Sequence, residues 1–397
     1  MRFSVGKSLL IMCSAGMLAS PISAQSVPCG GTFSSFLEGV WAEAINAGYT
    51  QRATNAVLGS AQIDPKVLSR DRAQGVFRQT FLEFSQRSIS SYRMTHGAKN
   101  MDRYSSVFER ARKEFGVPAE VITAFWALET DYGAVQGDFN TVNALATLAH
   151  DCRRPHLFRP QLLAAIKMVE NGDLDPATTT GAWAGEIGQV QMLPDDIVTK
   201  GMDGDGDGHV SLKTSAPDAI LTAANLINSL GWRGGEPWLI EVTAIGNTRW
   251  EKSGLDTKLR VSEWEAMGLR ARNGNMPSGR SEAHLLVPQG RNGPKFLAFR
   301  NFDVYLEWNQ SFIYSTTAAY LATRLGGAKR YDAGAPDEGL NDAQMKELQQ
   351  ILAARGYDVG KIDGILGART RAAVQAEQSR FGLPADAWPT PALLARY

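Results

Sequence analysis

Apolar residues recur at helical spacing through the first half of the chain. Phe33, Phe36, Leu37, Val40, Trp41 and Ile45 fall on one side of a helix predicted over 30–48, and helix and turn continue through 49–63. Val76, Phe77, Phe81 and Phe84 supply the apolar side of a helix expected over 65–88. Another is expected over 101–115, stopped by Gly116 and followed by Pro118. The rest of the chain is organised around the helix that opens the stretch 121–140. Pro118 sits where helices start, and Glu120 suits the positive end of the helix dipole. Ile122, Trp126 and Glu129 share one side, while Val121, Phe125 and Leu128 form a second apolar stripe. Gly133 is expected to end this helix one turn past Glu129. Helices over 143–150 and 160–171 follow. Few runs alternate with period two, so this half is mainly α.

The pattern changes after residue 182. The stretch 182–194 alternates glutamines with apolar residues among Gly185 and Gly188. An acidic loop occupies 203–214, and an amphipathic helix is expected over 217–231. From 238 to 294 short β-prone runs alternate with turn residues, which predicts a small sheet or excursion. Residues 296–305 read as a strand or connector, and 313–325 as a helix. The stretch 330–339 has the composition of a linker. Beyond it, 340–397 reads as an independent unit with helices over 342–355 and 368–381 and a third starting near Pro389.

Composition adds an address and removes some functions. Arg2 and Lys7, the short apolar run 9–18 and Ser23-Ala24 read as a secretory signal peptide over 1–24, and the run is too short for a membrane span. The mature chain is therefore expected to be soluble, exported and periplasmic. Formal net charge is zero, so no field gathers nucleic acid or anionic lipid. Nine tryptophans are numerous enough to include sugar-stacking rings, although most are expected in the core. Cleavage of the leader leaves Cys29 and Cys152, which in an oxidising compartment read as one disulfide; the alternative is a pair of buried free thiols.

Three stretches carry candidate chemistry. Glu129 lies near a helix end on a largely apolar side, where desolvation favours the neutral carboxyl and raises its pKa. Such a group can give a proton to a leaving oxygen near neutral pH. The plainer reading is a Glu that caps or pairs with an Arg. In 182–194, Gln189 and Gln191 beside Gly188 are placed to face one side and hydrogen-bond sugar hydroxyls or N-acetyl groups. In 203–214, Asp203, Asp205 and Asp207 at alternate positions, Gly208 at the sixth and His209 offering its carbonyl at the seventh match the first half of an EF-hand loop. Thr214 stands where a bidentate Glu is expected, so Asp218 is the candidate that closes the site around a structural Ca²⁺.

Taken in order, Ala127-Leu128-Glu129-Thr130-Asp131-Tyr132-Gly133, the 183–194 segment, the acidic loop, and 293–297 with Asn301-Phe302 and Trp308-Asn309-Gln310-Ser311 resemble the lytic murein transglycosylase B family over about residues 30–326. Cys29 and Cys152-Arg153-Arg154 fit the same pattern. The tail, with Gly356-Tyr357, Asp363-Gly364, Gly367, Thr370, Phe381-Gly382-Leu383 and Pro391, resembles a three-helix peptidoglycan-binding domain, except that Asp386-Ala387 stands where Asp-Gly is usual. The resemblance implies a lysozyme-like catalytic region over 25–329, a linker at 330–339 and a wall-binding domain over 340–397. It implies cleavage of the β-1,4 bond between N-acetylmuramic acid and N-acetylglucosamine without water, with Glu129 as the sole catalytic carboxylate. Gln191 maps to the family's substrate-contacting glutamine. Gln189, Gly188, Glu186, Tyr132, Asn309 and Tyr314 are the further substrate-site candidates; Tyr314 reads equally well as helix packing. Ala182 replaces a serine often found there, which puts one substrate hydrogen bond in doubt. The partner implied is the peptidoglycan glycan strand, with wall-synthesis or division machinery as further candidates. A muramidase that admits water and a non-catalytic wall-binding protein are the competing readings.

Overall fold

The helix Ala119–Thr130 is enclosed by Phe312–Leu325, Ser91–Arg103, Ser105–Phe115 and Ala216–Ser229. The computed structural model describes residues 27–73 and 79–397. The signal peptide expected at 1–24, and Val76 and Phe77, lie outside the described residues. Every residue from 121 to 127 is buried, which explains why two apolar stripes overlap on this helix: it is a core helix, apolar all round. Full burial of Ile122 and Phe125 contributes about 1.5–3 kcal/mol each.

The protein is mainly α, as the pattern predicts, with several differences in detail. The expected helix over 65–88 is two helices, Pro65–Arg72 and Phe81–Ser88, the second started by a capping box between Thr80 and Glu83. Pro160 does not start a helix but lies inside Pro155–Asn171, because Pro155 already takes the first position, where its missing N–H costs nothing. The region from 238 to 299 builds an antiparallel five-stranded sheet in the order Leu259–Arg260, Glu282–Leu286, Phe296–Phe299, Leu239–Ala244, Leu269–Ala271. It has its own core around Trp264, Leu269, Leu285 and Leu297. The stretch 296–305 is both a strand and the start of the helix Arg300–Trp308.

The stretch 330–339 has linker composition but is fastened along its length. Arg272 Nη1 donates to the Arg330 carbonyl, Asp332 N–H to Glu241 and Ala335 N–H to the Asn292 carbonyl. The Tyr331 ring lies among Phe81, Phe296 and Tyr320. Beyond it, Asp342–Ala354, Ala368–Arg380 and Pro391–Leu394 close over a small core of Leu348, Leu352, Val374 and Leu393. This three-helix unit rests against the larger one: Arg371 Nη2 donates to the Pro288 carbonyl, and Asp386 accepts from Arg291 N–H. Among the described residues no helix is long and apolar enough to cross a membrane.

Cys29 and Cys152 are joined in a disulfide with Cα atoms 5.3 Å apart, and Gly30 N–H donates to the His150 carbonyl beside it. The bond closes a loop across 123 positions of sequence. Cys152→Ser is expected to lower unfolding stability by about 2–5 kcal/mol. A thermal midpoint unchanged by the substitution, or by reductant, would contradict this.

Candidate active site

Glu129 occupies the last turn of Ala119–Thr130, and the chain leaves that turn in an unusual way. Asp131, Tyr132 and Gly133 all have positive φ, at 51°, 63° and 87°. The helix therefore ends at Thr130 with Asp131 as the left-handed cap, rather than at Gly133. Two non-glycine residues in this region cost about 1–3 kcal/mol each and persist only where their surroundings hold them there. Arg93 supplies the hold, since its Nε donates to Asp131 Oδ1 at 2.6 Å and its carbonyl accepts from the Tyr132 hydroxyl at 2.5 Å. Gly133 is needed for a second reason: a Cβ there would stand 2.9 Å from Gln189 Oε1.

The Glu129 residue keeps an edge open to solvent, but its carboxylate is enclosed. Trp308 Nε1 donates to Glu129 Oε1 at 2.9 Å and the Tyr314 hydroxyl donates to the same oxygen at 2.5 Å. Among the described residues no protein donor reaches Oε2. Burial drives the Glu129 pKa above the ordinary carboxylate range, against the opposing pull of Tyr314 and Trp308, and the nearby charge of Glu186 raises it further. The Tyr314 hydroxyl is itself held far above its ordinary pKa by burial and by Glu129, so it remains a donor. The Trp308 ring is aimed by stacking on Phe125, centroids 4.2 Å apart. A groove with about 720 Å³ of open space, walled by Tyr92, Arg93, Leu128, Asp131 and Tyr314, reaches Tyr314; Glu129 and Trp308 are not part of its wall.

The structure separates the sequence candidates into two groups. Tyr314 meets Glu129 directly. Glu186 is close enough for its charge to act on Glu129, and burial raises its own pKa; its Oε2 is buried with no hydrogen-bond partner among the described residues. Gln191, at φ 51°, is half-buried, with Nε2 donating to the carbonyls of Gly188 and Gln136. Gln189 does not share its side. Gln189 is buried, accepts from Trp126 Nε1 at 3.1 Å, and takes the Thr130 hydroxyl on its carbonyl, so it fastens the 182–194 segment to the central helix. The close approach at Gly188 and Gly185 is to the protein itself: a Cβ would meet Leu212 at 2.5 Å and Leu145 at 2.3 Å. The Tyr132 hydroxyl points to the Arg93 carbonyl, and Asn309 is a turn residue whose Oδ1 accepts from Ser311 N–H. Trp308 and Arg93 are site residues that the sequence pattern does not mark as such. Trp308 stands in the family-like stretch beside Asn309, which was the only sequence signal for it. Arg93 had none, because Asp131 lies 38 residues away.

Removing the Tyr314 hydroxyl should lower the rate by about tenfold to a hundredfold, the worth of a hydrogen bond to a charged group. Because that bond favours the ionised carboxyl, Tyr314→Phe should also move the alkaline limb of the rate profile to higher pH. A limb that stays fixed or moves down would contradict the assignment.

At the acidic loop, ligand oxygens of Asp203, Asp205 and Asp218 lie within 4.8 Å of one another. Asp218 is fully buried and accepts only backbone N–H groups among the described residues, from Gly204 and Ser211. Hydrogen bonds from Gly208 and Gly206 hold the Asp203 carboxyl below its ordinary pKa. The sequence set is thus modified at one side chain. Asp207 stands outside the cluster, its carboxylate turned back onto His209 N–H, and the His209 ring goes to Asp173 Oδ1 at 3.2 Å. An all-oxygen set of three carboxylates around one point suits a hard divalent cation.

Residues 32–323 match the family of the transglycosylase SLT domain, and residues 341–396 match the putative peptidoglycan binding domain. The chain belongs to the transglycosylase SLT family. Over 238 residues it is 29% identical to membrane-bound lytic murein transglycosylase B of Escherichia coli K12, which covers 59% of this chain and 64% of that protein. SltB3 from Pseudomonas aeruginosa, solved in complex with NAG-anhNAM-pentapeptide, superposes with a TM-score of 0.84 at 34% identity, covering 92% of this chain and 99% of SltB3. The Escherichia coli lytic transglycosylase Slt35, solved in complex with calcium, shares the fold with a TM-score of 0.64 at 24% identity over 77% of this chain and 97% of Slt35.

Proposed function

We propose that this SLT-family enzyme is a lytic transglycosylase that cleaves the β-1,4 bond between N-acetylmuramic acid and N-acetylglucosamine in peptidoglycan, with Glu129 acting first as acid and then as base. The observation that carries the reading is the one-sided bonding of Glu129. Both protein donors fall on Oε1, so the proton is left for Oε2, which no protein donor among the described residues reaches. Oε2–H protonates the glycosidic oxygen as the bond from C1 of the muramoyl sugar breaks, and the muramic N-acetyl oxygen supports the cationic centre. Tyr314 and Trp308 stabilise the carboxylate that remains. That carboxylate then takes the proton of the muramoyl 6-hydroxyl as O6 bonds to C1, closing a 1,6-anhydro ring and restoring the acid. No water is consumed. The ring-closing hydroxyl is held on the same sugar, which supplies the high effective concentration an intramolecular attack needs.

The same reading assigns Gln191 and Glu186 to contacts with sugar hydroxyl or amide groups, and 340–397 to holding the enzyme on the wall. Residues 25–329 form the catalytic region and 330–339 join it to the tail. Export by residues 1–24 to the periplasm completes it. Asp203, Asp205 and Asp218 would hold a structural Ca²⁺, which supplies positive charge to a turn that otherwise gathers like charges. The muramidase reading is less well supported. A hydrolase of the usual kind needs a second ionised carboxylate, and the Glu186 carboxyl is pushed by burial toward its neutral form. Borodeuteride treatment of released fragments tests the proposal: anhydro ends take up no deuterium, whereas full uptake at muramoyl ends would overturn it.

A further inference from the structure

The helix that presents Tyr314 to Glu129 begins at Phe312, and its first turn is only half-buried. Ser311 caps that turn by accepting from Tyr314 N–H, while Phe312 and Ile313 remain half-buried. First turns fray unless something covers them. Phe312 and Ile313 pack inward on the main core, and the outer cover comes from the C-terminal three-helix unit. The Arg371 guanidinium lies 4.8 Å from the centre of the Phe312 ring, and its Nη2 is fixed on the Pro288 carbonyl at 2.8 Å. Arg371 is itself buried. A desolvated cation over an aromatic face is a strong contact for its size. Gln375, one turn further along the same helix, locks the arrangement by donating to the carbonyls of Ser253 and Trp250 at 3.0 and 3.2 Å. A narrow cavity lined by Ser253, Leu255, Val287, Phe312, Ala368 and Arg371 lies between the two units.

We propose that Arg371 is a positioning residue of the catalytic centre: held between the two units, it fixes Phe312 and thereby the hydroxyl of Tyr314 on Glu129. The C-terminal unit then does more than hold the enzyme on its polymer, because part of the geometry of the acid depends on its being docked. This rests on the reading of Glu129 as the acid. Burial pushes the Arg371 pKa down to about 10, which still leaves it cationic throughout the working range. The groups that face Glu129 are Trp308, Tyr314 and Glu186, with Arg93 and Asp131 behind Tyr314.

The test uses full-length Arg371→Met, Arg371→Lys and Phe312→Leu, assayed on a soluble glycan fragment too short to reach the C-terminal unit. Arg371→Met should lower kcat about tenfold, the scale of a small misplacement at the reacting centre, with KM unchanged. Its alkaline limb should move to higher pH, because a loosened Tyr314 no longer favours the ionised carboxyl. Arg371→Lys keeps the cation and should recover most of the rate. Phe312→Leu should reproduce the loss from the other side, and the double variant should lose little more than either single one. Wild-type kcat and an unmoved limb in both Arg371→Met and Phe312→Leu would overturn the proposal, even with a lowered melting temperature, since the contact would then only dock the unit. Isotope-edited infrared titration of Glu129 reads the same shift without turnover. It therefore separates failure of this inference from failure of the catalytic assignment, which would show as a Glu129→Gln variant that still releases fragments.

Discussion

Glu129→Gln is expected to stop glycan cleavage, lowering kcat by about 10²–10⁴-fold, the range for loss of a general acid, while the protein still sediments with sacculi. The amide keeps the size of the side chain and can still accept from Tyr314 and Trp308, so only the transferable proton is removed. The substitution should also stabilise the protein, in a pH-dependent way. The buried carboxyl has a folded pKa raised above its ordinary value of 4.5. Between the unfolded and folded pKa values the native state binds more protons than the unfolded chain, so wild-type stability falls as pH rises through that window and stays lower above it. The variant lacks this loss. Its melting temperature should match wild type below the unfolded pKa and exceed it at neutral pH. Retained cleavage would remove Glu129 from the mechanism, and a variant less stable than wild type at neutral pH would contradict the burial argument.

Calcium removal is the second large effect. A cation bound only by the native loop stabilises by RT ln(1 + [L]/Kd), about 2.7 kcal/mol at a hundredfold excess over Kd. A chelator should therefore lower the melting temperature, and added Ca²⁺ should restore it. The geometry sharpens the expectation. Asp218→Asn should abolish the calcium-dependent shift, because Asp218 is the buried member of the three-carboxylate cluster. Asp207→Asn should leave most of it, because that carboxylate stands outside the three-carboxylate cluster. Equal losses from the two substitutions, or no shift on titration with Ca²⁺, would argue against this loop as a cation site.

Much of the fold could be read from periodicity, because a buried helix such as Ala119–Thr130 carries its apolar stripes in its own sequence. The central carboxylate was legible for the same reason: its place near a helix end among apolar residues is local information. What could not be read is what local sequence does not encode. Trp308 lies 179 residues from Glu129, and no spacing rule links the two. Gln189 and Gln191 look equivalent by alternation, yet the left-handed backbone at Gln191 breaks the alternation and turns Gln189 inward to Trp126. Asp218 joins Asp203 and Asp205 as the loop pattern leads one to expect, but Asp207, which fits an EF-hand register by position, stands outside their cluster. The stretch 330–339 has the small and polar residues of a spacer, and its fastening depends on Glu241, Arg272 and Asn292, which belong to the distant sheet region and its loops.

The most direct test of the one-carboxylate mechanism is mass spectrometry of the soluble fragments released when purified peptidoglycan is digested in heavy-oxygen water. The account predicts muramoyl ends one water lighter than hydrolysis products and carrying no heavy oxygen. Fragments of full mass with heavy oxygen at the new muramoyl end would contradict it, and would make Glu186 the first residue to examine as a second carboxylate.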